Sequence, residues 1–238
     1  LFHLLGSMKD ENGKVLIEGY YDGIELDEAT QQVLSSVPDD ITSLHERLAI
    51  HSPETVGSFY QESLQYPSLN IRGIQSGWVG EKARTIVPES ATAEIDLRLV
   101  VETDGTRLKT LVKQHIQNKG YFIVDRLPTK EERMTYPLIA MVKEGSVTDA
   151  FRTDLSNPYG QWMEKVLQTT FNEDVVKIRT MGGTVPIASF INELNIPAIV
   201  LPVVNPDNNQ HSPNENLRLG QINYGLRVFY NLLSSKIN

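Results

Sequence analysis

The chain has no cysteine, which removes disulfides, thiolate metal sites and cysteine nucleophiles together and leaves the redox compartment open. Long apolar runs are missing too: no window of about 18 residues is apolar throughout, so no membrane-spanning helix is expected. Positive charge is scarce, with 22 Lys and Arg against 30 Asp and Glu for a net charge of -8, and no basic run could track phosphates. A nucleic-acid partner is therefore not expected. Only five histidines are present, so any metal site has few imidazoles to draw on. The start lacks methionine as well: LFHLLGSMKDENG opens as if already inside a helix, and the expectation is a piece of a longer protein without its N-terminal part. What is there, 238 residues with 40% hydrophobic and 22% charged, suits one large globular domain or two small ones.

Leu1, Leu4, Leu5 and Met8 recur at helical spacing before the DENG turn at 10–13, which predicts a helix and its stop. Residues 18–66 read as an insertion of low regularity holding two short helical patterns, DEATQQVLSSV and PETVGSFYQESL; His45 and His51 fall in it, where surface loops are expected. The period then changes to two. SLNIRGIQSG places Leu69 and Ile71 on one face and, after a slip at Gly73, Ile74; ATAEIDLRLVV sets Ala93, Ile95, Leu97 and Leu99 against Thr92, Glu94, Asp96 and Arg98. These are half-buried strands. DGTRLKTLVKQHIQNKG predicts an amphipathic helix with Leu108, Leu111, Val112 and Ile116 inward, His115 at the flank and Gly120 as the stop. With short strands in YFIVDRL and LIAMVKEG, the order matches a two-layer split β-α-β-β-α-β sandwich whose first strand is missing.

Past residue 146 the pattern is α-β-α-β-α: YGQWMEKVLQTTF and PIASFINEL as helices, DVVKIRT and the almost continuously apolar IPAIVLPVV as strands of a parallel sheet. The last helix shows Leu219, Ile222, Leu226, Phe229 and Leu233 as a buried stripe. The fold class is thus α/β: an α+β unit over 1–145, followed over 146–238 by part of a doubly wound sheet.

Both strands of the second part run into loops, MGGTVP and NPDNNQHSPNE, which open on one sheet edge if the strands are parallel, and ligands bind at such edges. Gly182 and Gly183 permit close backbone approach and positive φ, and Thr184 offers a hydroxyl, although taken alone the loop reads as a plain strand-to-helix turn. His211 has two readings. Ser212, Pro213 and Glu215 form a Ser-Pro-x-Glu capping signal for a following helix, while an imidazole at a strand's carboxyl edge is suitably placed to bind a metal. One histidine is not a zinc site, and no H-E-x-x-H or H-x-D accompanies it. Arg98, between acidic neighbours, reads as a solvated ion-pair residue.

Three stretches in this order, LLGSMKDENGKVLIEGYYDGI, YPSLNIRGIQSGWVGEKARTIVPESATAEIDLRLV and MGGTVPIASFINELNIPAIVLPVVNPDNNQHSPNE, resemble the dinuclear zinc peptidases and deacylases, above all the carnosine dipeptidase branch. Acetylornithine deacetylase and succinyl-diaminopimelate desuccinylase belong to the same family. The resemblance implies a zinc-binding α/β domain interrupted by a lid and dimerisation domain. Residues 1–145 would be most of the lid and 146–238 the C-terminal segment of the catalytic domain. It implies that His211 is a ligand to one of two zinc ions, Glu215 supports its loop, Arg98 grips a substrate carboxylate, and Gly183 and Thr184 face that same end. Thr85 matches a position that reaches the other subunit's active site in a homodimer. The remaining ligands and the general base would precede residue 1, so no catalytic base is expected in this chain, and His3 is not the lid histidine. The implied activity of the full-length protein is hydrolysis of an amide bond in a dipeptide or short peptide with a free carboxylate, in the cytoplasm. Another divalent metal could replace zinc, and the isolated chain is expected to be inactive and to bind no metal by itself. An N-acyl amino acid deacylase and a non-catalytic dimerisation protein on the same scaffold are the alternatives.

Overall fold

A computed structural model describes residues 1–237, without the side chain of Asn192. The chain forms two compact units, one of Leu1–Phe151 with Thr180–Ala188, the other of Arg152–Arg179 with the residues from Ser189 onward. Among the described residues, no helix is long and apolar enough to cross a membrane.

In the first unit, α1 (Phe2–Gly6) buries Leu4 and Leu5, with Met8 just beyond its end. The Asp10 carboxylate accepts from the backbone N–H groups of Asn12 (2.9 Å) and Lys14 (2.8 Å), folding a tight turn completed by Gly13 at φ 90°. That turn sends Val15, Ile17 and Tyr20 into the same core as α1. Tyr20 is 1% exposed; its hydroxyl donates to the Ser68 carbonyl at 3.2 Å, and burial pushes its pKa well above the usual phenol value.

The insertion is more helical than its composition suggests. Asp27 and Asp40 cap α2 (Glu28–Ser35) and α3 (Ile41–Leu48), and α4 (Tyr60–Ser63) follows. His45 therefore stands on a helix rather than in a loop. Helix α3 was hard to foresee because its apolar residues Ile41 and Leu48 remain exposed, leaving no buried stripe.

Strands β1 (Ser68–Gln75) and β2 (Thr92–Arg98) pair antiparallel, with Ile71 opposite Ile95 but Gly73 opposite Glu94. Arg72 is thus the extra residue of a bulge, at the point where the alternation slips. The bulge keeps Leu69, Ile71 and Ile74 on one face of the strand. Helix α5 (Gly105–Asn118), capped by Asp104, buries Leu108, Val112 and Ile116 against Ala93, Ile95 and Leu97 of β2. His115 sits at the flank, 2.9 Å from the Ser7 hydroxyl, and burial with the nearby Lys119 lowers its pKa.

Strands β3 (Phe122–Val124) and β4 (Ile139–Met141) form a second, parallel ladder, linked by α6 (Lys130–Thr135). The mixed α/β class is as expected, but the single lid sheet is found as two separate two-stranded ladders. In a split β-α-β-β-α-β sheet the first strand lies between the third and fourth, and no described residue supplies it. Helix α6 carries a capping box in which Thr129 and Glu132 bond reciprocally, while Arg126 donates to both Glu132 oxygens at 2.8 Å. These donors hold the Glu132 carboxyl down at about 2.

In the second unit, α7 (Pro158–Phe171) packs on α9 (Leu219–Ser234) through Leu167, Val228 and Leu232, joined by Trp162 and Tyr224. The stripe expected to be buried on α9 is not: Leu219 is 79% and Leu233 87% exposed, and the inward face is Gly225, Val228 and Leu232. Gly225 lies against Val203, where a β-carbon would meet the valine at ordinary contact distance. Residues 174–180 and 196–204, expected as strands, run without ladder pairing among the described residues. Pro197 and Pro202 remove donors from the second segment. Its Ala198 is instead held from both backbone atoms by the Thr153 hydroxyl, which donates to the carbonyl (2.6 Å) and accepts from the N–H (3.0 Å). Helix α8 (Ala188–Leu194) is present as expected.

Candidate functional site

Arg98 closes β2 opposite Ser68, with its side chain on the solvated face. Its Nε donates to Asp96, two residues earlier on the same face, at 2.5 Å, and its Nη1 donates to Thr184 Oγ1 at 2.9 Å. The Asp96 contact is what an exposed ion pair would give, and at 54% side-chain exposure it adds little stability. Its effect is orientation: the guanidinium is fixed while Nη2 makes no hydrogen bond among the described residues. A planar fork with a free edge and an adjacent hydroxyl can receive a carboxylate.

The loop bearing Thr184 is shaped by three contacts. Thr180 Oγ1 donates to Gln65 Oε1 at 3.0 Å, and Ile187 N–H bonds back to the Val185 carbonyl at 2.8 Å, a turn centred on Pro186. At Gly182 an added β-carbon would lie 3.2 Å from Leu64 Cδ2, so the chain passes closer there than most side chains allow. Neither Gly182 nor Gly183 has a positive φ: close approach, at Gly182, accounts for the pair better than backbone freedom. Gly183 has ordinary room beside Met181. Thr85 lies in the exposed stretch between β1 and β2, and no hydrogen bond joins it to Arg98 or Thr184.

His211 belongs to the loop of residues 205–218 in the second unit. The Ser-Pro-x-Glu stretch starts no helix: α9 begins at Leu219, and residues 209–214 turn instead. Three non-glycine residues there take left-handed conformations, Asn209 (φ 58°), His211 (φ 62°) and Asn214 (φ 66°), and a right-handed helix cannot pass through them. Asparagine side chains stabilise this path. Buried Asn205, 1% exposed, donates to Asp207 (2.9 Å) and Asn216 (3.3 Å) and accepts from the Arg218 backbone N–H (3.0 Å). Asn216 N–H reaches the Asn208 carbonyl at 2.8 Å, Asn209 bonds to the Pro213 carbonyl, and Arg218 pairs with Asp207. Glu215 takes part in none of these contacts, whereas Asn205 makes three of them.

Among the described residues, no three or more His, Asp or Glu side chains are grouped to hold a metal ion. His211 is a single exposed imidazole, which does not make a zinc site. Within the first unit the structure brings Arg98 and Thr184 together; His211 and Glu215 share one loop of the second. Sequence reasoning missed Gln65, Thr180 and Asn205. An Asn-Pro pair did mark the turn at Asn205, but Gln65 carried no signal, being one more polar residue in a polar segment.

Residues 1–123 match the family model described as peptidase dimerisation domain. Among curated proteins, the Cys-Gly metallodipeptidase DUG1 of Candida albicans is 25% identical over 91% of this chain and 43% of its own length. The human Beta-Ala-His dipeptidase is 23% identical over 96% of this chain and 44% of its own. The chain therefore spans less than half the length of these relatives. Solved structures agree in fold: an M20 family metallo-carboxypeptidase from Sulfolobus solfataricus superposes with a TM-score of 0.74 at 23% identity, covering 97% of this chain and 50% of that one. Human carnosine dipeptidase 1 gives 0.73 at 21% identity, covering 96% and 46%. A match across the first 123 of 238 residues, with the same fold in these solved relatives, establishes that the chain belongs to the peptidase dimerisation domain family of M20 peptidases.

Proposed function

We propose that the full-length protein is a metal-dependent dipeptidase and that this chain contributes its carboxylate-recognising end. The observation that carries the proposal is the Arg98–Thr184 pair: a guanidinium oriented by Asp96, with Nη2 unengaged among the described residues, beside a hydroxyl on a turned loop. A dipeptide's terminal carboxylate complements that arrangement in charge and in bidentate geometry. Relatives named as Cys-Gly metallodipeptidase and Beta-Ala-His dipeptidase support the substrate class.

In this assignment Arg98 and Thr184 bind and orient the substrate, Gly183 leaves space on the loop, and His211 supplies one donor to a divalent metal, zinc in two copies on the resemblance. The residues described here do not by themselves hold that metal, so their contribution is positioning rather than the hydrolytic step. The protein is proposed to be a cytoplasmic homodimer joined through the dimerisation domain, with Thr85 serving the partner's site. Exposed apolar side chains around it, Trp78 (58%) and Val87 (93%), suit a contact surface. Sedimentation of the full-length protein as a monomer only would remove the trans role of Thr85.

An N-acyl amino acid deacylase would use the same carboxylate contacts. Turnover by the full-length protein of dipeptides, their C-terminal amides and N-acyl amino acids, with and without a chelator, separates the two. Chelator-sensitive cleavage of free-acid dipeptides is expected; cleavage confined to N-acyl amino acids would replace the dipeptidase assignment by the deacylase one.

A further inference from the structure

We infer that Gln65 is a positioning residue for the carboxylate-binding end, acting through Thr180 on the loop that presents Thr184 to Arg98. The inference rests on Arg98 and Thr184 being substrate contacts. Gln65 is 1% exposed, in an insertion that is otherwise largely solvated, and its amide is committed at both ends: Nε2 donates to the Gln61 carbonyl at 3.0 Å and Oε1 accepts from Thr180 Oγ1 at 3.0 Å. Gln61, itself 2% exposed, donates to Asp39 at 3.0 Å. A polar line thus runs from Asp39 through Gln61 and Gln65 to Thr180. Burying an amide is costly unless it is hydrogen-bonded, and an apolar side chain of similar size would fill the space without that cost. What the amide adds is direction.

The connections close on themselves. Gln65 lies three residues before Ser68, Ser68 is the ladder partner of Arg98, Arg98 donates to Thr184, and Thr184 is four residues after Thr180, which returns to Gln65. Leu64, next to Gln65, is also the side chain that a β-carbon at Gly182 would crowd. One end of the Thr180–Thr184 loop is therefore fixed to the segment entering β1 and the other to the end of β2, the strand paired with it. A loop fixed in this way meets its ligand already ordered, and releasing one end makes binding pay for that ordering.

The experiment uses the full-length protein with Gln65→Leu, Thr180→Val and Thr180→Ser. In the first two, KM for a free-acid dipeptide is expected to rise roughly three- to tenfold, the worth of one ordinary hydrogen bond, with kcat little changed. The preference for the free acid over its C-terminal amide falls by the same factor, whereas Thr180→Ser, which keeps the hydroxyl, retains it. Hydrogen exchange adds a readout independent of turnover: amides of residues 181–185 exchange faster in Thr180→Val than in wild type or Thr180→Ser. An equal loss on acid and amide, no change on either, or unaltered exchange would overturn the positioning role. Wild-type protein that cleaves no dipeptide would sink the dipeptidase assignment instead, and the exchange measurement would still decide whether Gln65 and Thr180 hold the loop.

Discussion

Arg98 donates from Nη1 to Thr184 Oγ1 at 2.9 Å across 86 residues of chain, tying the end of a dimerisation-domain strand to the Gly-Gly-Thr loop. The strand end and the loop are thereby joined at the proposed carboxylate site, and its two members can be tested separately.

Arg98→Ala in the full-length protein is expected to raise KM for a free-acid dipeptide roughly 10- to 150-fold, from about 1.5–3 kcal/mol for hydrogen bonds to a charged group. Arg98→Lys falls between, because it keeps charge but loses the planar fork. Steady-state kinetics on acid and amide substrates checks this; an equal effect on both would remove the carboxylate contact.

The chain of residues 1–238 is expected to show no metal-dependent peptidase activity and no tight zinc binding, since among the described residues no three or more His, Asp or Glu side chains are grouped to hold a metal. Calorimetric titration with zinc and a dipeptide assay test the two halves of that statement. In the full-length protein, His211→Ala is expected to lower bound metal as measured by elemental analysis.

Asn205→Ala is expected to destabilise the second unit by about 1–3 kcal/mol, because it removes a buried amide and orphans the Arg218 N–H. Glu215→Ala is expected to stay within about 0.5 kcal/mol, as it makes none of the loop's contacts. Denaturant unfolding of the two variants ranks them, and a larger effect for Glu215 would return loop support to that residue.

Glu132 gives a pH dependence with a defined sign. Its carboxyl is lowered from 4.5 to about 2 by Arg126 and the Thr129 backbone, so its stabilising contribution is complete above 4.5 and is lost as pH falls toward 2. The difference in melting temperature between wild type and Glu132→Gln is expected to be largest above pH 4.5 and to close toward pH 2. A difference that widened on acidification would contradict the assignment.

Legibility in the sequence followed burial. β2 and α5 were readable because each presents one face to a core and the other to water, so their periods survive in the residue types. Even the Gly73 slip could be read, since Ile74 resumes the apolar face one position late. Helix α6 was missed although Thr129-x-x-Glu132 spells a capping box, because six residues carry too little periodicity to draw attention to it. On α9 the apolar stripe was real in sequence, but the face in contact uses Gly225, Val228 and Leu232, a choice made by the partner helix rather than by hydrophobicity. The Ser-Pro-x-Glu signal at 212–215 failed for a backbone reason: Asn209 before it and Asn214 within it take left-handed conformations, and Asn209 bonds to the Pro213 carbonyl to keep the turn. Of the candidate site, residue types were readable from the resemblance, whereas the Gln65–Thr180 contact joins positions 115 residues apart and leaves no local trace.

The bulge at Arg72 bears on how this strand would tolerate a change in length. One residue there opposes none on β2, so a deletion would let both halves of the ladder keep their partners while the strand lost its bend. The half toward Ser68 would go on facing Arg98, and the half toward Trp78 would change its exit angle. Position 72 is thus a place where the strand can lose a residue and redirect the exposed apolar stretch without disturbing the ladder partner of Arg98.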